Sequence, residues 1–275
     1  MDFLYDNIQE TVAYLNNRTK DFKPQLGIVL GTGLGKLVEE LDIVLEIPYQ
    51  EIPHFPVSTV QGHAGKLVFG YLEGKSIVAM AGRFHYYEGY SMKEVTFPIR
   101  VLKFLGIKRL VISNATGSVN PAIEMGDLVF IRDHINLLPE NPLRGANDER
   151  LGVRFPDLSK TYDKALNQIA LDMATKHGVR ASIGVYVSTQ GPNLETPAEY
   201  QYFHRIGADV VGMSTVPEVL VAAHMNLPIF VVSVVSNKCY PLESIVETTL
   251  EDVINTVNKV EPKLTALIKE LLSHL

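Results

Sequence analysis

The sequence is short of cysteine, of positive charge and of long apolar runs, and each shortage closes off a class of function. Its single cysteine, Cys239, rules out a disulfide framework or a multi-cysteine metal site. One free thiol fits a reduced, cytoplasmic setting. Lys and Arg number 25 against 31 Asp and Glu, a net charge of −6. No global basic field therefore draws the chain to nucleic acid or to an anionic membrane. No apolar run approaches the roughly 20 residues that a membrane span needs. The opening MDFLYDNIQE carries three acids and lacks the apolar centre of a signal peptide. There is no H-E-x-x-H pair to hold a metal and no G-x-S-x-G elbow to expose a serine nucleophile. Glycine and proline are dispersed through the 275 residues rather than gathered in a linker, so the expectation is one domain, residues 1–275.

What is present is a repeated unit: apolar strand, short polar loop, capped helix. Phe3, Tyr5, Ile8, Val12 and Leu15 recur at helical spacing. Residues 25–30 then read as a buried strand running into Gly31-Thr32-Gly33-Leu34-Gly35-Lys36. A dinucleotide fingerprint would need glycine where Lys36 stands. A Walker loop would need glycine at 30 and Ser or Thr at 37, and both are leucine. What remains is a glycine turn with free amides and the Thr32 hydroxyl, either a simple turn or an anion nest.

Residues 66–71 and 75–81 read as a hairpin around Glu73-Gly74, preceded by a glycine-flanked loop with His63. The second arm leads into Gly82-Arg83-Phe84-His85-Tyr86-Tyr87-Glu88-Gly89-Tyr90, and Ser91-x-x-Glu94 then caps a helix over 95–106. Arg83 and His85 thus sit between a strand and a helix, where open α/β sheets bind ligands. Arg is also well shaped to grip a phosphate at two points. Taken alone, the loop could equally be a polar surface segment. Strands are further expected at 110–113, 128–131, 184–189 and 228–236, the last broken by Ser236-Asn237-Lys238. Helices are expected at 163–177 and 248–272, with an aperiodic loop over 136–159. Thr196-x-x-Glu199 and Thr215-x-x-Glu218 read as two more capping boxes. They place Glu195 and Ser214 at helix N-termini, which favour negative charge.

Thr32, His63, Arg83, His85, Ser214 and the amides around Ala115 form a set suited to phosphate without a metal. Glu195 and Asn237, a carboxylate and a carboxamide, suit the N–H, ring nitrogen and exocyclic oxygen of a heterocycle. Met213, Tyr87 and Phe155 can supply an apolar wall. Cys239 has no evident histidine partner, so a covalent nucleophile is not expected.

GTGLG, STVQGHAG, GRFHYYEGY, RDHINL, NPLRGANDER, GPNLETPAE, VGMSTVPE and SNK follow one another from about residue 25 to 238. In kind and order they closely resemble the trimeric purine nucleoside phosphorylases that act on inosine and guanosine. The resemblance implies a three-layer α/β nucleoside phosphorylase fold with a central mixed sheet flanked by helices. It implies a cytoplasmic homotrimer that needs no cofactor and uses inorganic phosphate as co-substrate. Thr32, His63, Arg83, His85, Ala115 and Ser214 would bind phosphate, and Tyr87 and Met213 the ribose. Glu195, Asn237, Tyr186 and Val211 would hold the purine, with Asn237, Glu195 and His85 carrying catalysis. Phe155 would reach a neighbouring subunit's site.

Three departures from the family pattern stand out. The stretch 247–253 lacks the histidine often found near the 5′-hydroxyl, Leu194 replaces a common aromatic, and Ser236 stands where threonine is frequent. A methylthioadenosine phosphorylase would resemble this chain but carry aspartate at the position of Asn237. A xanthosine-preferring relative and a non-catalytic nucleoside or phosphate sensor are the remaining alternatives.

Overall fold

The computed structural model describes residues 3–20, 22–32, 35–57 and 65–274. Among these residues the chain builds a mixed sheet from β1 (Leu26–Leu30), β2 (Asp42–Pro48), β3 (Lys66–Leu72), β4 (Lys75–Ala81), β5 (Arg109–Ser118), β6 (Leu128–Asn136), β7 (Ala181–Ser188), β8 (Val210–Gly212) and β9 (Ile229–Lys238). Their order in space is β2-β3-β4-β1-β5-β8-β7-β6-β9, and β5 also pairs with β9. The second half of the sheet therefore closes on itself. The helices are α1 (Leu4–Arg18), α2 (Met92–Leu105), α3 (Lys164–Lys176), α4 (Pro197–Arg205), α5 (Val216–His224) and α6 (Leu250–Leu271).

Side-chain alternation along the strands sorts the core into two faces. Val29, Val78 and Ile112 pack with Ile8 and Leu15 of α1, Leu102 of α2 and Val219 of α5. Ile28, Ala79, Val111 and Phe230 pack with Leu166 of α3 and Leu264 and Leu267 of α6. Both faces of the central strands are thus covered, which is why those strands read as unbroken apolar runs. The expected three layers, helices on either side of a mixed sheet, are what the chain forms.

Local signals hold where the chemistry is local. Glu73 (φ 49°) and Gly74 (φ 75°) make the tight turn between β3 and β4. Glu94 N–H donates to Ser91 Oγ, and Ser91 N–H donates to Glu94 Oε2, closing the box that starts α2. Gly106 ends that helix at φ 108°. Two segments differ from the sequence reading for tertiary reasons. β2, for which no strand was expected, is an edge strand that is apolar yet leaves Ile43 and Val44 exposed. The segments 114–118 and 236–238, read as loops, continue β5 and β9, with Gly117 paired to Asn237 across a register shift. Their polar residues are buried between neighbouring strands instead of marking chain ends.

The site edge depends on close backbone approach after β1. A Cβ on Gly31 would lie 2.8 Å from the Ser113 carbonyl oxygen and 2.9 Å from Asn114 Cα. Gly31→Ala should therefore push β1 from β5 and destabilise the fold by about 1–3 kcal/mol. Urea unfolding measures this, and an unchanged midpoint would contradict the packing described.

Candidate active site

β1, β4, β5 and β9 run parallel to one another, so their C-terminal ends gather on one edge. There a cleft is lined by Gly31 and Thr32 after β1, Arg83, His85 and Tyr87 after β4, Asn114 to Gly117 of β5, and Ser236 and Asn237 of β9. Glu195, Val211, Met213 and Ser214 close the other side. With its open mouth the cleft encloses about 730 Å³ of empty space.

One end of the cleft is built around Arg83, whose side chain is 1% exposed. Its Nε lies 3.1 Å from Glu218 Oε1, itself buried in α5. Arg83 Nη1 donates to Ser214 Oγ at 3.0 Å and to Thr215 Oγ1 at 3.4 Å. Asn114 Nδ2 donates to the same Thr215 hydroxyl at 2.8 Å. Thr215 holds φ 72° and ψ −55°, and Val216 N–H donates to Ser214 O at 2.8 Å. Together these define a γ-turn of the strained kind, costing about 1–3 kcal/mol for a β-branched residue. The hydrogen bonds from Asn114 and Arg83 hold it in place.

This corrects the sequence reading of Thr215 and Glu218 as a capping box. Thr215 makes no side-chain cap, because both side chains are drawn to Arg83. The Thr196–Glu199 box does form, with Thr196 N–H donating to Glu199 Oε2 at 2.7 Å and Glu199 N–H donating to Thr196 Oγ1 at 3.3 Å.

His85 is fixed by Glu88, which accepts from the His85 backbone N–H at 2.8 Å and lies 3.1 Å from ring Nδ1. The Tyr87 ring stacks on the imidazole, centroids 4.7 Å apart at 14°. Burial, with Glu88 nearby, pushes the Tyr87 phenol up to about 12, so it acts as a neutral hydroxyl. At the other end of the cleft, Thr189 Oγ1 donates to Glu195 Oε1 at 2.8 Å, and Ser236 Oγ donates to Asn237 Oδ1 at 2.8 Å. Burial raises the Glu195 carboxyl above its ordinary range. It outweighs the pull of the α4 N-terminus, which the sequence suggested would keep the group ionised. The cleft thus has one end of oriented donors suited to an anion and another whose carboxylate and carboxamide suit a heterocycle.

Three comparisons bear on this arrangement. A family model described as the phosphorylase superfamily matches residues 25–273. Purine nucleoside phosphorylase 1 of Geobacillus stearothermophilus is 50% identical over 98% of this chain and 97% of its own length. The crystal structure of isoform 2 of purine nucleoside phosphorylase from Schistosoma mansoni, in complex with cytosine and ribose-1-phosphate, superposes with a TM-score of 0.93. It is 42% identical, covering 98% of this chain and 97% of that one. The chain belongs to the purine nucleoside phosphorylases. A further Schistosoma mansoni member of that family, in complex with inosine, is 40% identical with a TM-score of 0.91, covering 98% of this chain and 96% of that one.

Within this purine nucleoside phosphorylase fold, Thr32, Arg83, His85, Tyr87, Ala115, Glu195, Val211, Met213, Ser214 and Asn237 all line the same cleft. Tyr186 does not. It is fully buried beneath the cleft, and its hydroxyl accepts from Ser214 N–H at 3.3 Å, so it supports Ser214 from below. His63 lies outside the described residues. Phe155 is 86% exposed and is not part of the cleft lining. The sequence reading missed Asn114, Thr116, Tyr200, Leu250 and Val253 as lining residues, and Thr215 and Glu218 as supports of Arg83 and Glu88 as the support of His85. Only Thr215 and Glu218 carried a signal, and it pointed to a helix cap.

Glu218→Ala would leave the Arg83 charge buried without its carboxylate, a loss of about 3–5 kcal/mol. Thermal melts should show this, and added phosphate should raise the variant's melting temperature more than the parent's. Equal stability of the two proteins would contradict the pairing.

Proposed function

We propose that this cleft carries out the reversible phosphorolysis of purine (deoxy)nucleosides, inosine and guanosine above all, giving free base and (deoxy)ribose 1-phosphate. The observation that carries the reading is the meeting, in one cleft, of the Arg83–His85–Ser214 cluster with Glu195 and Asn237. A nucleoside bridging the two ends places its C1′ between a held phosphate and a held base. Relatives bind inosine in one crystal structure and ribose-1-phosphate in another, the two sides of that reaction.

In this mechanism phosphate, gripped by Arg83, His85, Ser214, Thr32 and the Ala115 amide, supplies the attacking oxygen at C1′. The C1′–N9 bond breaks through an oxocarbenium-like transition state and its electron pair passes to the purine. Asn237 donates an N–H to N7 as charge gathers there, while Glu195 accepts from the ring N1–H. Tyr87 and Met213 hold the sugar. Catalysis then rests on proximity and preorganised donors, with phosphate as co-substrate and no cofactor. His63 is proposed as an additional phosphate contact on the family pattern alone.

Apolar Leu250 and Val253 line the cleft in the stretch that lacks the histidine some relatives place near the 5′-hydroxyl, and no residue is assigned to that hydroxyl. The asparagine at 237 speaks against the methylthioadenosine branch. One domain over 1–275 is supported by strands of a common sheet from residue 26 to 238. A cytoplasmic homotrimer is proposed with Phe155, a large exposed aromatic, reaching a neighbouring subunit's site. None of the described helices is long and apolar enough to cross a membrane.

Base release from inosine, guanosine, xanthosine and adenosine, each with and without phosphate, tests the reading. Phosphate-dependent release from the 6-oxopurine nucleosides is expected; release without phosphate would make the protein a hydrolase. Asn237→Ala should lower turnover by about 10²–10³, the loss expected for one preorganised donor, and parent-like turnover would remove Asn237 from its role.

A further inference from the structure

One buried carboxylate has no part in the mechanism above. Glu261 sits on α6 and is 2% exposed. Around it Val257, Val260, Leu264, Leu267 and Ile268 form a buried apolar stripe at helical spacing, packed against the sheet. A carboxylate on such a stripe costs free energy that a hydrophobe of similar size would not. Glu261 Oε1 accepts from the Lys36 backbone N–H at 2.7 Å. Its second oxygen, Oε2, is also buried and has no hydrogen-bond partner. The group is thus held in an unfavourable place for the sake of its contact with Lys36.

Lys36 stands in the short 3₁₀ turn Gly35–Glu40, four residues after Thr32, which lines the cleft. Gly31, just before Thr32, lies against the backbone of β5. Leu37 and Val38 of the turn join the apolar cluster of Leu264 and Leu267. Further along α6, Lys269 Nζ pairs with Glu40 Oε2 at 3.0 Å. The helix therefore holds the turn at both ends. At Lys36 the hold is a buried carboxylate; at Glu40 it is a partly exposed ion pair, a kind that contributes little.

The geometry points to Glu261 as a positioning residue that fixes the chain shortly after Thr32, so that Thr32 meets phosphate already oriented. This rests on the phosphorolysis reading and deepens it by naming what readies the β1 side of the anion site. Positions 31, 33 and 35 are glycine, the residue with the most backbone entropy to lose on being ordered. A segment whose ends are tied before phosphate arrives loses less of that entropy on binding. Gly31 against β5 supplies one tie, and Glu261 with the Lys36 N–H supplies the other.

The placement of Glu261 along α6 suits this role. Leu250 and Val253, in the first turn of the helix, line the cleft. Glu261 lies eight residues beyond Val253, about 12 Å further along at the usual helical rise. The helix that borders the cleft is therefore the one that holds the segment after Thr32, and the two keep a common register. A carboxylate with only a structural role would change stability without singling out one substrate. One that positions Thr32 acts on phosphate and not on the nucleoside.

The test is steady-state kinetics, with phosphate and inosine varied independently, in the parent, Glu261→Leu, Glu261→Gln and Lys269→Ala. Glu261→Leu continues the apolar stripe but removes the acceptor. Its KM for phosphate should rise about tenfold, as for a lost hydrogen bond to a charged group. Its KM for inosine, and its kcat at saturating phosphate, should stay near the parent's. Glu261→Gln keeps a carbonyl oxygen for the Lys36 N–H and should bring the phosphate KM back close to the parent's. Lys269→Ala loosens the same turn from its far end and should leave that KM unchanged. A parent-like phosphate KM in Glu261→Leu overturns the proposal, and so does an equal rise in Glu261→Gln or Lys269→Ala. If Glu261→Leu does not fold, Lys36→Pro, which removes the N–H donor, takes its place with the same expected rise and the same overturning result. A parent that releases no base from inosine with phosphate would overturn the phosphorolysis reading itself, a separate outcome.

Discussion

The buried pair of Arg83 and Glu218 is the constraint on which the site depends. Its charged atoms lie 3.1 Å apart with side chains 1% and 4% exposed. Removing two such charges from water costs several kcal/mol per ion, and only close pairing with further hydrogen bonds offsets it. Those extra bonds explain the local architecture. Arg83 reaches from the end of β4 to Ser214 and Thr215, ahead of α5, while Asn114 reaches Thr215 from β5. A single buried guanidinium thus ties together the ends of three elements and holds Thr215 in a backbone conformation it would not otherwise keep.

That arrangement also sets what kind of anion site the proposed phosphate end would be. Because Glu218 offsets the Arg83 charge, attraction for phosphate cannot rest on net positive charge, in a chain whose balance is −6 overall. It rests on donors aimed in fixed directions, backed by the N-terminus of α5. A site made of preorganised donors suits a reaction in which the enzyme supplies no nucleophile of its own and must hold two reactants in line. The base end follows the same logic, since the Thr189 and Ser236 hydroxyls donate to Glu195 and Asn237.

Much of this was legible in the sequence because the signals were local. The Ser91–Glu94 and Thr196–Glu199 boxes, the Glu73-Gly74 turn and the apolar runs of β1, β4 and β9 each follow from neighbouring residues. Most of the polar residues singled out do converge on one cleft. The misreadings arose where tertiary partners decide. Thr215 and Glu218 satisfy the spacing of a cap, but a buried arginine from a distant strand is the stronger partner. Asn114 and Thr116 resemble loop residues and are strand residues, since β5 is paired on both sides. Tyr186 carries the right chemistry for a ligand contact and lies one layer too deep. β2, at the sheet edge, leaves the apolar Ile43 and Val44 exposed, so its residues follow neither a buried run nor a clean alternation.

The central claim is that Arg83 positions phosphate for attack on a nucleoside held at the other end of the same cleft. Its most direct test is steady-state kinetics of Arg83→Lys with phosphate and inosine varied independently. Lysine keeps the charge beside Glu218 but loses the planar fork. The KM for phosphate should rise about tenfold or more, as for a lost charge-assisted hydrogen bond, while the KM for inosine changes little. A phosphate dependence equal to that of the parent would show that the anion is held elsewhere and would contradict the account.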